Sequence, residues 1–198
     1  MTGTRTTAVE PPAHPRPATG AVVETSEANP GARVVDARWP ESDVDTLPSI
    51  PGFILSDFTP LVAAVAERCL RVHHGEPPAD PARAARTGLV LASARGDTTT
   101  LRIVTEAVAA GRRVPPLLFF QSNPNAVLGH VAARWGLGGP VVCVSPTGDP
   151  MADALACAEL LFDAGDADEA VVVVAELGEG GEQTGGAEAL LVMAEGRV

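Results

Sequence analysis

The segment Pro140–Glu176, PVVCVSPTGDPMADALACAELLFDAGDADEAVVVVAE, decides the fold because it contains a strand, a helix and a second strand in succession. Pro140–Ser145 is a short β-branched run, and Glu169–Glu176 is a compact apolar run of the kind found in buried strands. Pro150–Ala164 between them has the length and composition of a helix. Strands that alternate with helices predict a layered α/β domain.

The alternation continues on both sides of this segment. Predicted strands are Arg33–Ala37, Thr87–Ala94 and Ala187–Ala194, and predicted helices are Asp57–Val72, Thr98–Ala110 and Asn125–Trp135. Asp97 is the expected N-cap of the second of these helices, and Gly111 is expected to end it. Residues 114–124, VPPLLFFQSNP, are predicted to form an irregular apolar connection.

The composition predicts a tail followed by a folded domain, and it argues against several classes of function. Residues 1–31 are rich in Pro, Thr, Ala and Glu without hydrophobic periodicity, which predicts a disordered tail before a domain at 32–198. A net charge of −11 disfavours nucleic-acid binding, and there is no apolar run long enough for a membrane span. Three widely spaced cysteines support neither a disulfide framework nor a paired-cysteine metal site. We therefore expect a cytoplasmic protein without a cofactor.

One phrase carries a family resemblance. Asn123–Pro140, NPNAVLGHVAARWGLGGP, resembles the Gly-His-x-Ala phrase and the Gly-Leu-x-Gly-Pro turn of β-ketoacyl synthases, which belong to the thiolase-like superfamily. Weaker similarity runs from about Asp57 to Val114 and returns at GGAEALLVMAEG. The resemblance covers the N-terminal half of such a synthase and implies a five-stranded mixed sheet flanked by helices. It marks as structural motif residues Asn125, Gly129, His130, Pro140 and Ser145.

The resemblance also points to a missing nucleophile. In the family the strand that corresponds to Val142–Ser145 leads to a cysteine that opens a buried helix, where the positive helix end favours a thiolate. That position falls on Gly148, between Thr147 and Asp149. Read from the residues alone, Asp149 is an N-cap and Pro150 a first helical residue. The helix end is thus expected to be occupied by the protein's own carboxylate, and the turn to be non-catalytic.

Two further differences from the synthase family also indicate a non-catalytic chain. The histidines and lysine that the family uses for decarboxylation and condensation belong to a C-terminal half without a counterpart here. Only about ten residues, Leu177–Gly186, join the last two predicted strands, where synthases have a long excursion. The glycines of this loop superficially suggest a phosphate loop, but the loop leads into a strand and carries glutamates.

The remaining reactive residue types have structural interpretations. Cys143 in a strand and Cys157 in a helix are expected to be small buried hydrophobes. Ser145 or Thr147 could replace the nucleophile only with a nearby base, and the sequence identifies none. His73 and His74 are adjacent and do not share a helix face, so a metal site is not expected there.

These observations favour a non-catalytic, ketosynthase-like accessory subunit of polyketide or fatty-acid assembly, paired with itself or with a ketosynthase-like chain. A homodimer is the simpler expectation. The expected interface includes an edge strand and an apolar connection, through Val142, Cys143, Val144, Phe119 and Phe120. One alternative is a module that binds an acyl chain or an acyl carrier protein, to which Arg112 and Arg113 could contribute. A third, least favoured, is an enzyme that acts on thioesters through an unrelated site.

Overall fold

The computed structural model describes residues 35–42, 45–178 and 185–195, which form one five-stranded mixed sheet. The strands are β1 Val35–Trp39, β2 Thr87–Ala92, β3 Val141–Val144, β4 Glu169–Glu176 and β5 Gly186–Met193. They lie in the order β1-β5-β4-β2-β3. β2 runs parallel to both β3 and β4, whereas β5 runs antiparallel to β4 and β1. The predicted five-stranded mixed α/β fold is confirmed.

Six helices accompany the sheet in the described part of the chain. They are α1 Phe58–His74, α2 Pro81–Ala84, α3 Thr98–Ala109, α4 Pro116–Gln121, α5 Asn125–Trp135 and α6 Pro150–Asp163. α1 and α5 share the larger core with one face of the sheet, and α6 packs on the opposite face. No described helix is long and apolar enough to cross a bilayer.

The central strands are buried on both faces because successive side chains point to opposite sides. Leu89 and Leu91 of β2 belong to the core beneath α1, whereas Val90 and Ala92 belong to the core beneath α6. In β4 the same alternation directs Val171 and Val173 to the first core and Val172 to the second. These apolar runs therefore form the centre of a sheet that is covered on both sides.

Two short helices were missing from the sequence-based prediction. The connection at 114–124 is not irregular throughout, because it contains α4. Pro116 is the first helical residue, a position where the missing N–H has no intrahelical partner to lose. α2 is a single turn whose N-cap, Asp80, accepts bonds from the N–H groups of Ala82 and Arg83.

Three predictions fall wholly or partly outside the described residues. These are the tail at 1–31, the first two residues of the strand predicted at Arg33–Ala37, and the middle of the loop between β4 and β5. The two strands flanking that loop form an antiparallel pair, with Glu176 opposite Gly186.

The Gly-Leu-x-Gly-Pro turn fixes the position of β3 beside β2. Gly136 ends α5 at φ 72°, a left-handed conformation that favours glycine. A Cβ at Gly139 would collide with the backbone of Thr87, so this close approach also requires glycine. The carbonyl of Pro140 then accepts a 2.8 Å bond from the N–H of Leu89, which starts the parallel pairing.

Candidate functional site

The turn that follows β3 lies at the carboxyl ends of the parallel strands β2, β3 and β4, where open α/β sheets bind their ligands. Residues 145–149 form this turn, and α6 begins directly after it. Both Thr147 and Gly148 are exposed. The position that the family resemblance assigns to the nucleophile is therefore on the surface of the described chain.

The start of α6 is capped as the residues predict. Asp149 has extended backbone geometry, and its Oδ1 accepts a 2.7 Å bond from the N–H of Ala152. Pro150 occupies the first helical position. One of the unpaired N–H groups of this helix end is thus satisfied by the protein's own side chain.

A second carboxylate, on Asp153, closes the turn itself. Its Oδ2 accepts bonds from the N–H groups of Thr147 at 2.7 Å and Gly148 at 3.1 Å, and lies 3.5 Å from the Thr147 hydroxyl. These backbone hydrogen bonds, led by the one from Thr147, hold the pKa of Asp153 below its ordinary value. The sequence analysis missed this role, because the Asp153 carboxylate reaches back six residues to the Thr147 N–H.

The arrangement is unfavourable for nucleophilic catalysis at the turn. The N–H groups of Thr147 and Gly148, which could stabilise a thiolate or an oxyanion, already bind the Asp153 carboxylate. A carboxylate whose pKa is lowered is also a weak base for the Thr147 hydroxyl. Space alone does not exclude a side chain at Gly148, since a Cβ there would lie 3.9 Å from Asp153 Oδ1.

Of the motif residues, Ser145 begins this turn, whereas those on α5 lie away from it. His130 lies on α5, on the sheet face opposite α6, and its ring packs edge-on against Phe53 with centroids 6.1 Å apart. The N–H of Asn125 donates a 3.0 Å hydrogen bond to Oδ1 of Asn123. Gly129 is exposed, with nothing within 4 Å of a Cβ built on it.

Burial raises the thiol pKa of two of the three cysteines. Cys143 is half-buried in β3, and burial raises the pKa of its thiol. Cys69 is fully buried in α1, where burial and the nearby Asp36 raise its pKa to about 12. Its thiol donates to the carbonyls of Val35 and Ala189. Cys157 is half-buried within α6.

The predicted interface residues lie on the surface. β3 is an edge strand of the described sheet, hydrogen-bonded to β2 on one side. Val142, Cys143 and Val144 are half-buried, and Phe119 and Phe120 of α4 are 74% and 63% exposed.

At the opposite end of the sheet the structure forms a charged cluster. His73 Nε2 lies 2.8 Å from Glu169 Oε2, and His74 Nε2 lies 3.0 Å from Glu169 Oε1. The sequence-based reason for excluding this histidine pair from a site is therefore wrong. Adjacent side chains diverge along a helix, but at the last turn of α1 both imidazoles reach one carboxylate at the start of β4.

Two more side chains complete this cluster. Arg83 donates to Glu169 Oε2 at 2.7 Å and also contacts His73 Nε2, while the Thr87 hydroxyl lies 2.6 Å from Glu169 Oε1. Burial raises the pKa of Glu169, but the contacts with His73, His74, Thr87 and Arg83 together outweigh it and hold the pKa far below its ordinary value. Glu169 is therefore a charged carboxylate inside the protein.

Among known proteins, solved structures share the fold of this chain. No family model and no curated protein matches the chain. It is similar to the ketosynthase ApeO in complex with its chain length factor ApeC from Xenorhabdus doucetiae, at 20% identity and a TM-score of 0.60, covering 77% of this chain and 65% of that chain. It is also similar to the ishigamide ketosynthase/chain length factor, at 20% identity and a TM-score of 0.61, with coverages of 78% and 48%.

A third similar structure is a β-ketoacyl synthase from Burkholderia phymatum STM815, at 16% identity and a TM-score of 0.58. The match covers 80% of this chain and 52% of that chain. The chain thus spans about half to two thirds of the length of these structures.

Proposed function

Because the chain has the thiolase-like fold of β-ketoacyl synthases, we propose that it is a non-catalytic subunit of polyketide or fatty-acid assembly that pairs with a ketosynthase-like chain. The similar solved structures include ketosynthases described together with a chain length factor, which supports a partner of this kind. In this proposal the chain contributes a surface to an assembly, and the chemistry takes place on the partner.

The observation that carries the proposal is the closed turn after β3. In the proposed alignment Gly148 stands where a synthase has its cysteine, and the adjacent N–H groups bind Asp153. An acyl thioester at this turn would meet a carboxylate and no thiol. Restoration of activity would require a nucleophile, removal of the carboxylate and the general acid–base residues of a synthase.

Exposed apolar residues on and near β3 support this pairing. Within the described residues no strand pairs with the outer edge of β3, and Val141 is 40% exposed. On α6, Leu160 is 68% exposed. Proteins normally cover an apolar edge strand, because an open one recruits other strands. A ketosynthase-like chain that adds a strand to β3 would cover it, and so would a second copy of this chain.

One observation favours a second candidate, the binding of an acyl carrier protein. Arg112 and Arg113 are exposed and lie just before α4, whose Phe119 and Phe120 are also exposed. A basic pair beside apolar side chains suits an acidic partner that carries an acyl chain. The surrounding chain is acidic overall, so this attraction is local and weak.

The test of the non-catalytic role uses intact-protein mass spectrometry. The full chain is incubated with malonyl- and acyl-acyl carrier protein, with an active ketosynthase as the positive control. We expect no acyl adduct and no loss of carbon dioxide from the malonyl group. An acyl adduct on any residue of this chain, above that of a heat-denatured sample, contradicts the proposal.

The pairing is tested by co-expression with a panel of ketosynthase-like chains. Co-purification at fixed stoichiometry supports the accessory role. Binding of the carrier protein alone, abolished by Arg112→Glu and Arg113→Glu, would instead support the second candidate.

A further inference from the structure

The cluster at the amino ends of β2 and β4 has the composition of a metal site. One ligand atom from each of His73, His74 and Glu169 lies within 4.8 Å of the other two. The site is buried, since the side chains of His73, His74 and Glu169 are 6%, 1% and 5% exposed. Two imidazoles and a carboxylate are a common protein ligand set for Zn²⁺.

One nitrogen of the cluster lies between a hydrogen-bond donor and a carboxylate. The Arg83 guanidinium can only donate, and the Glu169 carboxylate accepts its bond at 2.7 Å. His73 Nε2 faces both of them and cannot act as donor and acceptor at once. A cation held between the ligand atoms would use the lone pair of the histidine and the charge of the carboxylate together.

His74 gives a second, independent indication. Its Nε2 is fully buried and lies 3.0 Å from Glu169 Oε1, but it makes no hydrogen bond of acceptable geometry to any described group. Buried polar atoms are nearly always satisfied, so an unsatisfied one needs a reason. A buried nitrogen 3.0 Å from a carboxylate oxygen, without hydrogen-bond geometry, is available as a ligand.

We propose that His73, His74 and Glu169 bind one divalent transition-metal ion of the zinc class. Mixed nitrogen and oxygen donors suit Zn²⁺ and Co²⁺, whereas Ca²⁺ and Mg²⁺ prefer oxygen alone. Arg83 is the group that must give way, and its side chain is 43% exposed, so its guanidinium can turn towards solvent. Water completes the coordination in the position that the guanidinium leaves.

The position of the site gives it a structural role that does not depend on the proposed function. It joins the carboxyl end of α1 to the first residue of β4 and lies next to the start of β2. The turn after β3 lies at the other end of the parallel strands. A bound metal would therefore stabilise the attachment of α1 to the sheet, since ligands that bind only the folded chain add to its stability.

The test uses the full chain with any purification tag removed. The protein is stripped with a chelator, loaded with Zn²⁺, desalted and analysed by inductively coupled plasma mass spectrometry. We expect about one Zn²⁺ per chain, a melting temperature several degrees above that of the stripped protein, and a visible absorption band of four-coordinate Co²⁺ when cobalt replaces zinc. A wild-type chain that retains no zinc after desalting overturns the proposal.

Two substitutions locate the metal. His74→Phe keeps the ring volume but removes the ligand, so we expect retained zinc to fall at least tenfold; the matched control His130→Phe should retain it. Loss of the cobalt band in both variants, or in neither, contradicts the assignment. Arg83→Ala covers the case in which His74→Phe does not fold.

Arg83→Ala separates a metal site from a simple ion-pair network. If the metal takes the place of the guanidinium, removal of Arg83 should tighten zinc binding severalfold. If the histidines and Arg83 merely neutralise Glu169, the variant should be less stable, with no gain in zinc affinity. The second result overturns the proposal.

Discussion

Helices α1 and α6 are both largely apolar and pack on opposite faces of the same sheet, but they are covered to very different extents. Eleven residues of α1 are buried, whereas α6 buries Ala154 and Ala158 alone. α1 packs against both the sheet and α5, whereas among the described elements α6 packs mainly on the sheet. The difference shows that an apolar composition does not by itself produce a buried helix. A helix apolar nearly all round needs cover on two sides, and α6 has one.

The largest expected effect of this difference is on the stability that is lost when a leucine is shortened to alanine. Leu61 of α1 is 1% exposed, so Leu61→Ala should lower the free energy of unfolding by about 2–5 kcal/mol through lost contacts and a residual cavity. Leu160→Ala on α6 is the matched control, because Leu160 is 68% exposed and should change the free energy by less than about 0.5 kcal/mol. Urea denaturation of the isolated chain measures both. Equal losses would mean that α6 is already covered.

The second effect concerns the attachment of the end of α1. Glu169→Gln should lower the free energy of unfolding of the metal-free chain by about 1.5–3 kcal/mol at pH 7, because charge-assisted contacts with His73, His74 and Arg83 are lost. Glu106→Gln is the control, since that carboxylate forms an exposed ion pair with Arg102 on α3 and should change the free energy by less than about 0.5 kcal/mol.

The pH dependence of this effect has a defined sign. The pKa of Glu169 in the folded chain lies below its ordinary value of 4.5, so its stabilising contribution is complete above about pH 4.5. The contribution is lost as the pH falls below that value. The stability difference between wild type and Glu169→Gln should therefore narrow in acid, as measured by urea denaturation at several pH values. A difference that widens in acid would contradict the charged state of Glu169.

A smaller effect is expected at the start of α6. Asp149→Ala removes the bond to the Ala152 N–H and should cost about 1 kcal/mol of unfolding free energy. Asp163→Ala, at the exposed carboxyl end of the same helix, is the control and should cost nothing, since an acidic residue there is unfavourable to the helix dipole. Equal decreases in melting temperature in the two variants would show that Asp149 does not stabilise α6 as an N-cap.

The smallest expected effect is on the pKa of a new thiol. Gly148→Cys places a thiol beside the Asp153 carboxylate, which should keep its pKa at or above about 8.5. Adding Asp153→Asn removes the negative charge and should lower that pKa by about one unit. The pH dependence of iodoacetamide alkylation, corrected for the wild-type cysteines, measures both values. A thiol already ionised at neutral pH in the single variant would show that Asp153 does not close the turn.

The regular elements could be predicted because their ends carry local signals. Asp97 and Asp149 cap their helices, and Gly111 and Gly136 follow helix ends, so the boundaries agree with the structure to within a few residues. α4 could not be predicted in this way, because it begins within a pair of prolines and is too short to show a period.

The site could be predicted only as far as local contacts define it. The Asp149 cap spans three residues and follows from the residue types, but Asp153 reaches back six residues to the Thr147 N–H. Glu169 meets His73 across 96 positions, and only the sheet brings them together. Glu169 was treated as the start of a strand because nothing nearby in the sequence shows its partners.

Sedimentation velocity shows whether another chain covers β3 and the outer face of α6. The full chain is measured over a dilution series, alone and with a co-expressed ketosynthase-like chain. We expect a complex in at least one sample, weakened at least tenfold by Val141→Lys and unchanged by Ile54→Lys, which places the same charge at an exposed apolar residue before α1. A monomer in every sample that stays soluble at high concentration, or a complex indifferent to Val141→Lys, would contradict the account.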